Sequence, residues 1–248
     1  MECEKSKKMP GVELFSIVIP VFNELKYTRE CLDSLLKYTS SEKYELIIID
    51  NGSKDGTGKY LATLFIPNKK IITNSRNMGV AYAWNQGIRA STGEYIAIVN
   101  NDINFTPNWL ENFEEAFQKY PEIGVLFPQT VERIRPANFD VIAEEVSRGP
   151  CVVKLINDPF PNPKGCVGWF MVYRREVFKM AGTFDENFEM YWYEDTDMFH
   201  RLMDSKIPCG QLQNVVVFHY GARTLKRQWG RWRYIKKNAL RFEEKWKK

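Results

Sequence analysis

Short apolar runs alternate with amphipathic stretches through the first half of the chain. Ser16–Val21 (SIVIPV), Glu45–Asp50 (ELIIID), Lys70–Thr73 (KIIT) and Glu94–Asn100 (EYIAIVN) are short, rich in β-branched residues and nearly continuous in apolarity. That is the pattern of strands buried on both faces of a parallel sheet. Between them, Thr28–Tyr38 sets Cys31, Leu32, Leu35, Leu36 and Tyr38 on one helical face. Gly79–Ala90 and Pro107–Tyr120 carry the same spacing, with Pro107 suited to a first helical turn. Strands alternating with helices predict right-handed βαβ units, hence an α/β fold with a mostly parallel central sheet flanked by helices.

From about Glu132 to Gly165 the periodicity fades and Pro, Asn and Gly become frequent. This stretch is expected to be a long irregular excursion over the site, placed to close over a ligand and exclude water. Regular patterning resumes at Val167–Tyr173 (strand), Glu194–Lys206 (helix) and Gln213–His219 (strand). After Leu225 the apolar residues fall at 225, 229, 232, 235, 239, 242 and 246, a helix with a Trp-rich face and a basic remainder. The expected organisation is a leader over 1–13, a catalytic domain over 14–224 with halves at about 14–124 and 125–224, and a basic amphipathic helix over 225–248.

Polar residues gather where the predicted strands end: Asn23-Glu24, Asp50-Asn51-Gly52-Ser53, Asn74 to Asn77, and Asn100-Asn101-Asp102. In open α/β sheets ligands bind outside the carboxyl ends of the strands, so four such clusters predict one shared crevice. Within it, Asp102 follows a buried strand and offers carboxylate oxygen to a hard cation such as Mg²⁺ or Mn²⁺, although Asn-Asn-Asp is also a good turn. Asp50 can accept hydrogen bonds from a base edge or ribose, or can close an Asx turn; Ser53 and Asp55 can cap the helix that follows.

Composition narrows the picture. The 248 residues are 44% hydrophobic and 27% charged, ordinary for a globular chain. Five scattered cysteines (Cys3, Cys31, Cys151, Cys166, Cys209) form no CxxC pair, which argues against a zinc knuckle or disulfide framework and for a reducing, cytoplasmic setting. The start, MECEKSKKMPGVE, lacks the apolar core of a signal peptide, and no apolar run approaches the ~18 residues of a membrane helix. The net charge of +4 is uneven: Leu225–Lys248 holds ten Lys/Arg against two Glu, leaving the body at −4. A mildly acidic body does not suit nucleic acid. The basic tail can either pack on the domain or lie on the inner, anionic face of a membrane.

The strings SIVIPVFNE (16–24), IIIDNGSKDGT (47–57), NSRNMGVAYAWNQGI (74–88), EYIAIVNNDI (94–103) and YWYEDTDMFHRL (191–202) stand in order and spacing. Together they resemble a family 2 glycosyltransferase of the GT-A fold, most of all its rhamnosyltransferase-like members, over about residues 14–245. The resemblance implies a nucleoside-diphosphate-sugar donor, a divalent cation and inverting hexosyl or rhamnosyl transfer to a glycan, lipid-linked or protein acceptor. It matches Pro20, Val21, Asn23 and Glu24 to the first nucleotide-binding loop and Asp50, with Ser53 beside it, to the base contact. Arg76, Asn77 and Gly79 match the third loop, and Asn101 and Asp102 the metal- and diphosphate-binding region. Asn100 stands where the family's first acid lies, which leaves Asp102 as the main acidic ligand.

Glu194-Asp195 matches the family's acidic pair, with Asp195 as general base; a sugar hydroxyl is a poor nucleophile until its proton is removed. Tyr191, Trp192, Tyr193 and Phe199 are expected to dry its pocket. Acids at a helix N-terminus also occur for the dipole alone, which is the expectation for Asp197. His219 ends VVVFH and is expected at the metal or diphosphate, His200 has no assigned role, and Trp169 suits either sugar stacking or the core. Two other classes compete. A non-catalytic nucleotide-sugar-binding relative would not need Asp195. A nucleotidyltransferase would carry a Gly-rich, basic phosphate loop where this chain has Pro20-Val21-Phe22-Asn23-Glu24.

Overall fold

A computed structural model describes residues 15–156, 168–221 and 231–247. The expected leader over 1–13, residues 157–165 of the expected excursion, Val167 of the expected strand, and residues 225–230 and 248 of the expected C-terminal helix lie outside the described residues.

Strands β1 (Phe15–Val21), β2 (Tyr44–Asp50), β3 (Lys69–Thr73) and β4 (Tyr95–Val99) occupy the four predicted positions. They pair in the order β3-β2-β1-β4, all parallel. Helices α1 (Leu25–Tyr38), α2 (Thr57–Thr63) and α3 (Val80–Ala90) make the crossovers. The strand side chains alternate between two cores. Phe15, Ile17, Ile19 and Val21 face one layer with Leu46, Ile48, Ala97 and Val99; Val18, Ile47, Ile49, Ile96 and Ile98 face the other. Both faces of β1, β2 and β4 are covered, which is why they read as continuous apolar runs, while β3 at the edge is partly exposed.

Beyond β4 the sheet becomes mixed. It continues through β8 (Phe170–Arg174), β6 (Val125–Glu132), β9 (Cys209–His219) and β5 (Ile103–Asn104), with β7 (Val153–Leu155) pairing β9. β8 runs antiparallel to β4 and β6, whereas β6 and β9 are parallel, with a register shift at Pro128/Gln129. Helix α4 (Trp109–Lys119) packs Trp109, Phe113 and Phe117 into the first layer. Helices α6 (Val177–Met180) and α7 (Glu194–Asp204) cover the second. Pro107 lies outside its helix, whose N-cap is Asn108 in the left-handed region.

The excursion from Glu132 is not irregular where it is described. It holds α5 (Phe139–Ser147) and β7, and Phe139 and Ala143 pack on Val216 and Phe218 of β9. Nine helical residues between Pro136-Ala137-Asn138 and Gly149-Pro150 are too few for periodicity to outweigh the breakers around them.

The C-terminal helix α8 (Arg231–Trp246) docks on the domain. Lys245 Nζ and Trp246 Nε1 reach Asp197 Oδ1 at 2.8 and 3.0 Å, and Phe242 packs on Tyr193 and His200. Its inward face is spent on the protein, so the membrane-surface expectation gains no support. Among the described residues no helix is long and apolar enough to cross a membrane.

Candidate active site

The parallel strands end in register: Val21 is opposite Asp50, and Asp50 is opposite Thr73. The polar strings that follow therefore meet along one edge. Asn51 knits them together. Its Nδ2 donates to Asn77 Oδ1 (3.0 Å) and to the Gly79 carbonyl (3.1 Å), and its Oδ1 accepts from Asn74 Nδ2 and the Met78 N–H, both at 3.0 Å. Gly52, at φ 86°, lies so close to the backbone of Arg76 that a Cβ would sit 2.6 Å from its Cα. Only glycine accepts both that conformation and that contact.

The β1 loop is tied to the β2 loop. The Asn23 N–H donates to Ser53 Oγ (2.8 Å), the Lys54 N–H to Asn23 Oδ1 (2.7 Å), and the Leu25 N–H to Asp55 Oδ2 (2.9 Å). Ser53 thus braces a neighbouring loop rather than capping α2, while Asp55 does accept the Thr57 N–H at that helix's start. Asp50 accepts the Ser53 N–H at 2.9 Å, the Asx-turn alternative raised by its sequence. Asn23 and Glu24 hold φ of 55° and 57°, an uncommon pair of left-handed residues entering α1.

A cavity of about 420 Å³ opens at this edge, a size suited to a small-molecule ligand. Its wall takes Pro20, Val21, Asn77, Asn101, Asp102, Glu194, Asp195 and His219 from the candidate residues. Asn23, Glu24, Asp50, Ser53, Arg76 and Gly79 do not line it; Asn23, Asp50 and Ser53 brace the strand-end loops, and Gly79 leaves room for the backbone of residue 190. The wall also takes Asn51, Trp84, Glu132, Arg133, Gly168, Trp169, Tyr191 and Trp192. The strand-end pattern placed Asn51 in the crevice without a role of its own and gave no signal for Glu132 and Arg133, which reach the cavity because β6 lies beside β9. Among the described residues, nothing between Ile134 and Ile156 borders the cavity.

Asp102 and His219 are far apart in sequence and meet because β5, directly after Asp102, pairs with the end of β9: Ile103 is opposite His219. His219 Nε2 lies 3.4 Å from Asp102 Oδ1, and Nδ1 lies 3.9 Å from Glu132 Oε1, buried with no hydrogen-bond partner among the described residues. The imidazole stacks on Trp169, with centroids 4.6 Å apart and planes 16° from parallel. Asp102 and His219 are 6% and 5% exposed, so two ligating atoms face each other on a nearly dry floor. One carboxylate oxygen and one imidazole nitrogen suit Mn²⁺ in type. No third acid, histidine or cysteine joins them among the described residues, so any ion held here would take its remaining ligands from substrate oxygens and water. Asn101 turns its amide to Thr28 Oγ1 at 2.9 Å.

Glu194 and Asp195 open α7 across the cavity. The helix dipole favours their anions, but burial prevails for both. Burial, then the neighbouring Asp195 charge, holds the Glu194 carboxyl well above its ordinary range, and among the described residues its Oε2 has no hydrogen-bond partner. Burial also raises Asp195, against bonds from the Thr196 N–H (2.7 Å) and hydroxyl (3.3 Å) to Oδ1. Gly168 leaves Asp195 Oδ2 its space: a Cβ there would sit 2.3 Å away. Of the expected aromatic surround, Tyr191 and Trp192 line the cavity, but Tyr193 packs on Phe242 and Phe199 on Phe127 in the core. Asp197 is wholly buried between Arg201, Lys245 and Trp246, a structural anchor.

The uncharacterized glycosyltransferase EpsJ of Bacillus subtilis (strain 168) is 29% identical over 181 residues, covering 71% of this chain and 52% of its own length. The chain thus spans about half the length of that relative. The structure of S. aureus TarS 1-349 in complex with UDP matches with TM-score 0.61 at 19% identity, over 82% of this chain and 59% of TarS. That of GalNAc-T7 with UDP, GalNAc and Mn²⁺ matches with TM-score 0.65 at 16% identity, over 85% of this chain and 44% of that one. Both likenesses show the GT-A fold expected from the sequence. Residues 16–181 match the model of glycosyl transferase family 2, and the chain belongs to that family.

Proposed function

We propose that this chain is an inverting glycosyltransferase that moves a sugar from a nucleoside-diphosphate sugar to an acceptor hydroxyl, with Asp195 as general base. The observation that carries the reading is the placement of Asp195 and the Asp102–His219 pair on one cavity at the carboxyl ends of the strands. The strand-end loops braced by Asn51, Asp50 and Ser53 receive the nucleotide, and Asn77 and Pro20-Val21 border it. Trp169, Tyr191 and Trp192 offer apolar faces to sugar rings and exclude water.

In a single displacement, the acceptor oxygen forms its bond to the anomeric carbon as the bond to the diphosphate oxygen breaks. The acceptor proton passes to the Asp195 carboxylate, whose raised proton affinity suits a base. The diphosphate leaves with the bonding pair. Asp102 and His219 would hold a divalent cation, which when bound neutralises charge on the diphosphate. Glu132, 3.9 Å from His219 Nδ1, is placed to orient that ring. Solved structures of the same fold with UDP, one also with Mn²⁺, put a uridine donor first to try; the motif resemblance puts hexosyl and rhamnosyl donors next. Glycan, lipid-linked and protein hydroxyls are the acceptor classes.

Thermal shift with UDP, dTDP and GDP, each with and without Mn²⁺, tests the reading together with donor turnover by the wild type and Asp195→Asn. One nucleotide should stabilise the fold more with metal, and the variant should keep that shift while losing turnover. Tight nucleotide binding with turnover indifferent to Asp195→Asn would instead favour a non-catalytic binding relative.

A further inference from the structure

The loop ahead of the acidic pair has an unusual backbone. Met190, Trp192 and Tyr193 have φ of 62°, 72° and 76°, three left-handed non-glycine residues within four positions. Side chains with a Cβ rarely adopt this conformation, so the surroundings must impose it. On one side, the Val80 N–H at the start of α3 donates to the Met190 carbonyl at 2.8 Å, and Gly79 leaves room for the Met190 backbone. On the other side stands Asn238 of α8.

Asn238 is 0% exposed, the most buried residue of α8 described, a polar residue one turn from Ile235 and from Phe242 on the inward face of the helix. Its Nδ2 points at three carbonyls: Glu189 (2.9 Å), Tyr191 (3.0 Å) and Trp192 (3.1 Å). Its Oδ1 accepts the Glu189 N–H at 3.2 Å. One side chain thus holds both ends of the turn that leads into Glu194 and Asp195. Only a neutral amide offers donors and an acceptor in that space: an aspartate would set its charge against the carbonyls, and a leucine would leave them unpaired in a dry site.

We propose that Asn238 is a positioning residue for the acidic pair, fixing loop 189–193 in the form that delivers Glu194 and Asp195 to the cavity. The effect on turnover rests on the reading of Asp195 as base; the hold on the loop does not. Residues 182–247 lie beyond the family match, so this support comes from outside the segment that defines the family.

The test compares Asn238→Ala and Asn238→Asp with Leu240→Ala, which alters the exposed side of the same helix. Displacing a reacting group by about 1 Å costs on the order of 100-fold, so both Asn238 variants should lose about that factor in kcat while UDP affinity stays within about threefold. Leu240→Ala should match the wild type. By hydrogen exchange, the Glu189 and Tyr191 amides should lose protection while 231–247 keeps its own. Wild-type kcat in a folded Asn238 variant would overturn the proposal. So would exchange that speeds up throughout 231–247, which makes Asn238 a docking contact alone. Should Asn238→Ala fail to fold, the near-isosteric Asn238→Asp carries the same expectation. A wild type with no turnover would end the base reading of Asp195, and exchange alone would then decide the hold on the loop.

Discussion

Replacing Gly168 by alanine measures how tightly Asp195 is held. The added Cβ would lie 2.3 Å from Asp195 Oδ2, 2.9 Å from its Cγ and 3.0 Å from its Cβ. Non-bonded heavy atoms pack comfortably near 3.5 Å, so the carboxylate or β8 must shift by about 1 Å. Asp195 cannot swing freely, because Oδ1 is held by the Thr196 N–H and hydroxyl. A shift of that size costs on the order of 100-fold in rate. The overpacking itself should destabilise by about 1–3 kcal/mol, or about 2–4 °C in Tm per kcal/mol for a chain of this size. Steady-state transfer, UDP titration and calorimetry separate these effects: kcat should fall while UDP affinity holds. In an Asp195→Asn background Gly168→Ala should cost little more, since both changes act on one group. A Tm loss with kcat within about twofold of wild type would refute the reasoning, because the methyl would then be absorbed elsewhere.

Two further outcomes follow from buried acids. Glu194 has its proton affinity raised in the folded state, so the native protein binds more protons than the unfolded chain above the ordinary value of 4.5, and stability falls as pH rises from there. Glu194→Gln should therefore raise Tm at pH 7–8, with the gain vanishing below pH 4.5; an equal gain at both ends would rule out titration as its source. Asp197 is 0% exposed and pairs with Arg201 and Lys245, so Asp197→Ala should cost about 3–5 kcal/mol in denaturant unfolding and loosen α8, as measured by exchange over 231–247. A cost under about 1 kcal/mol would show that solvent screens the pair.

Strand and helix identity in the first half was legible because β1, β2 and β4 are buried on both faces and α1, α3 and α4 each carry one apolar stripe, whereas the edge strand β3 is partly exposed. The crevice was legible too, since parallel strands must end on one edge and the polar strings sat at those ends. Short elements were not: α5 and β7 draw their stability from β9, a partner far away in the chain.

Local pattern therefore determined the α/β architecture, the edge that carries the site and the residue types offered there. Tertiary pairing decided which of those residues meet. Asp102 faces His219 because β5 joins β9, Gly168-Trp169 reaches the cavity because β8 runs back along β4, and Asn238, a polar residue on the inward face of α8, meets the carbonyls of loop 189–193. Each of these depends on contacts between distant segments. A periodicity reports which side of an element is buried, but not what will cover it or which carbonyls it must satisfy.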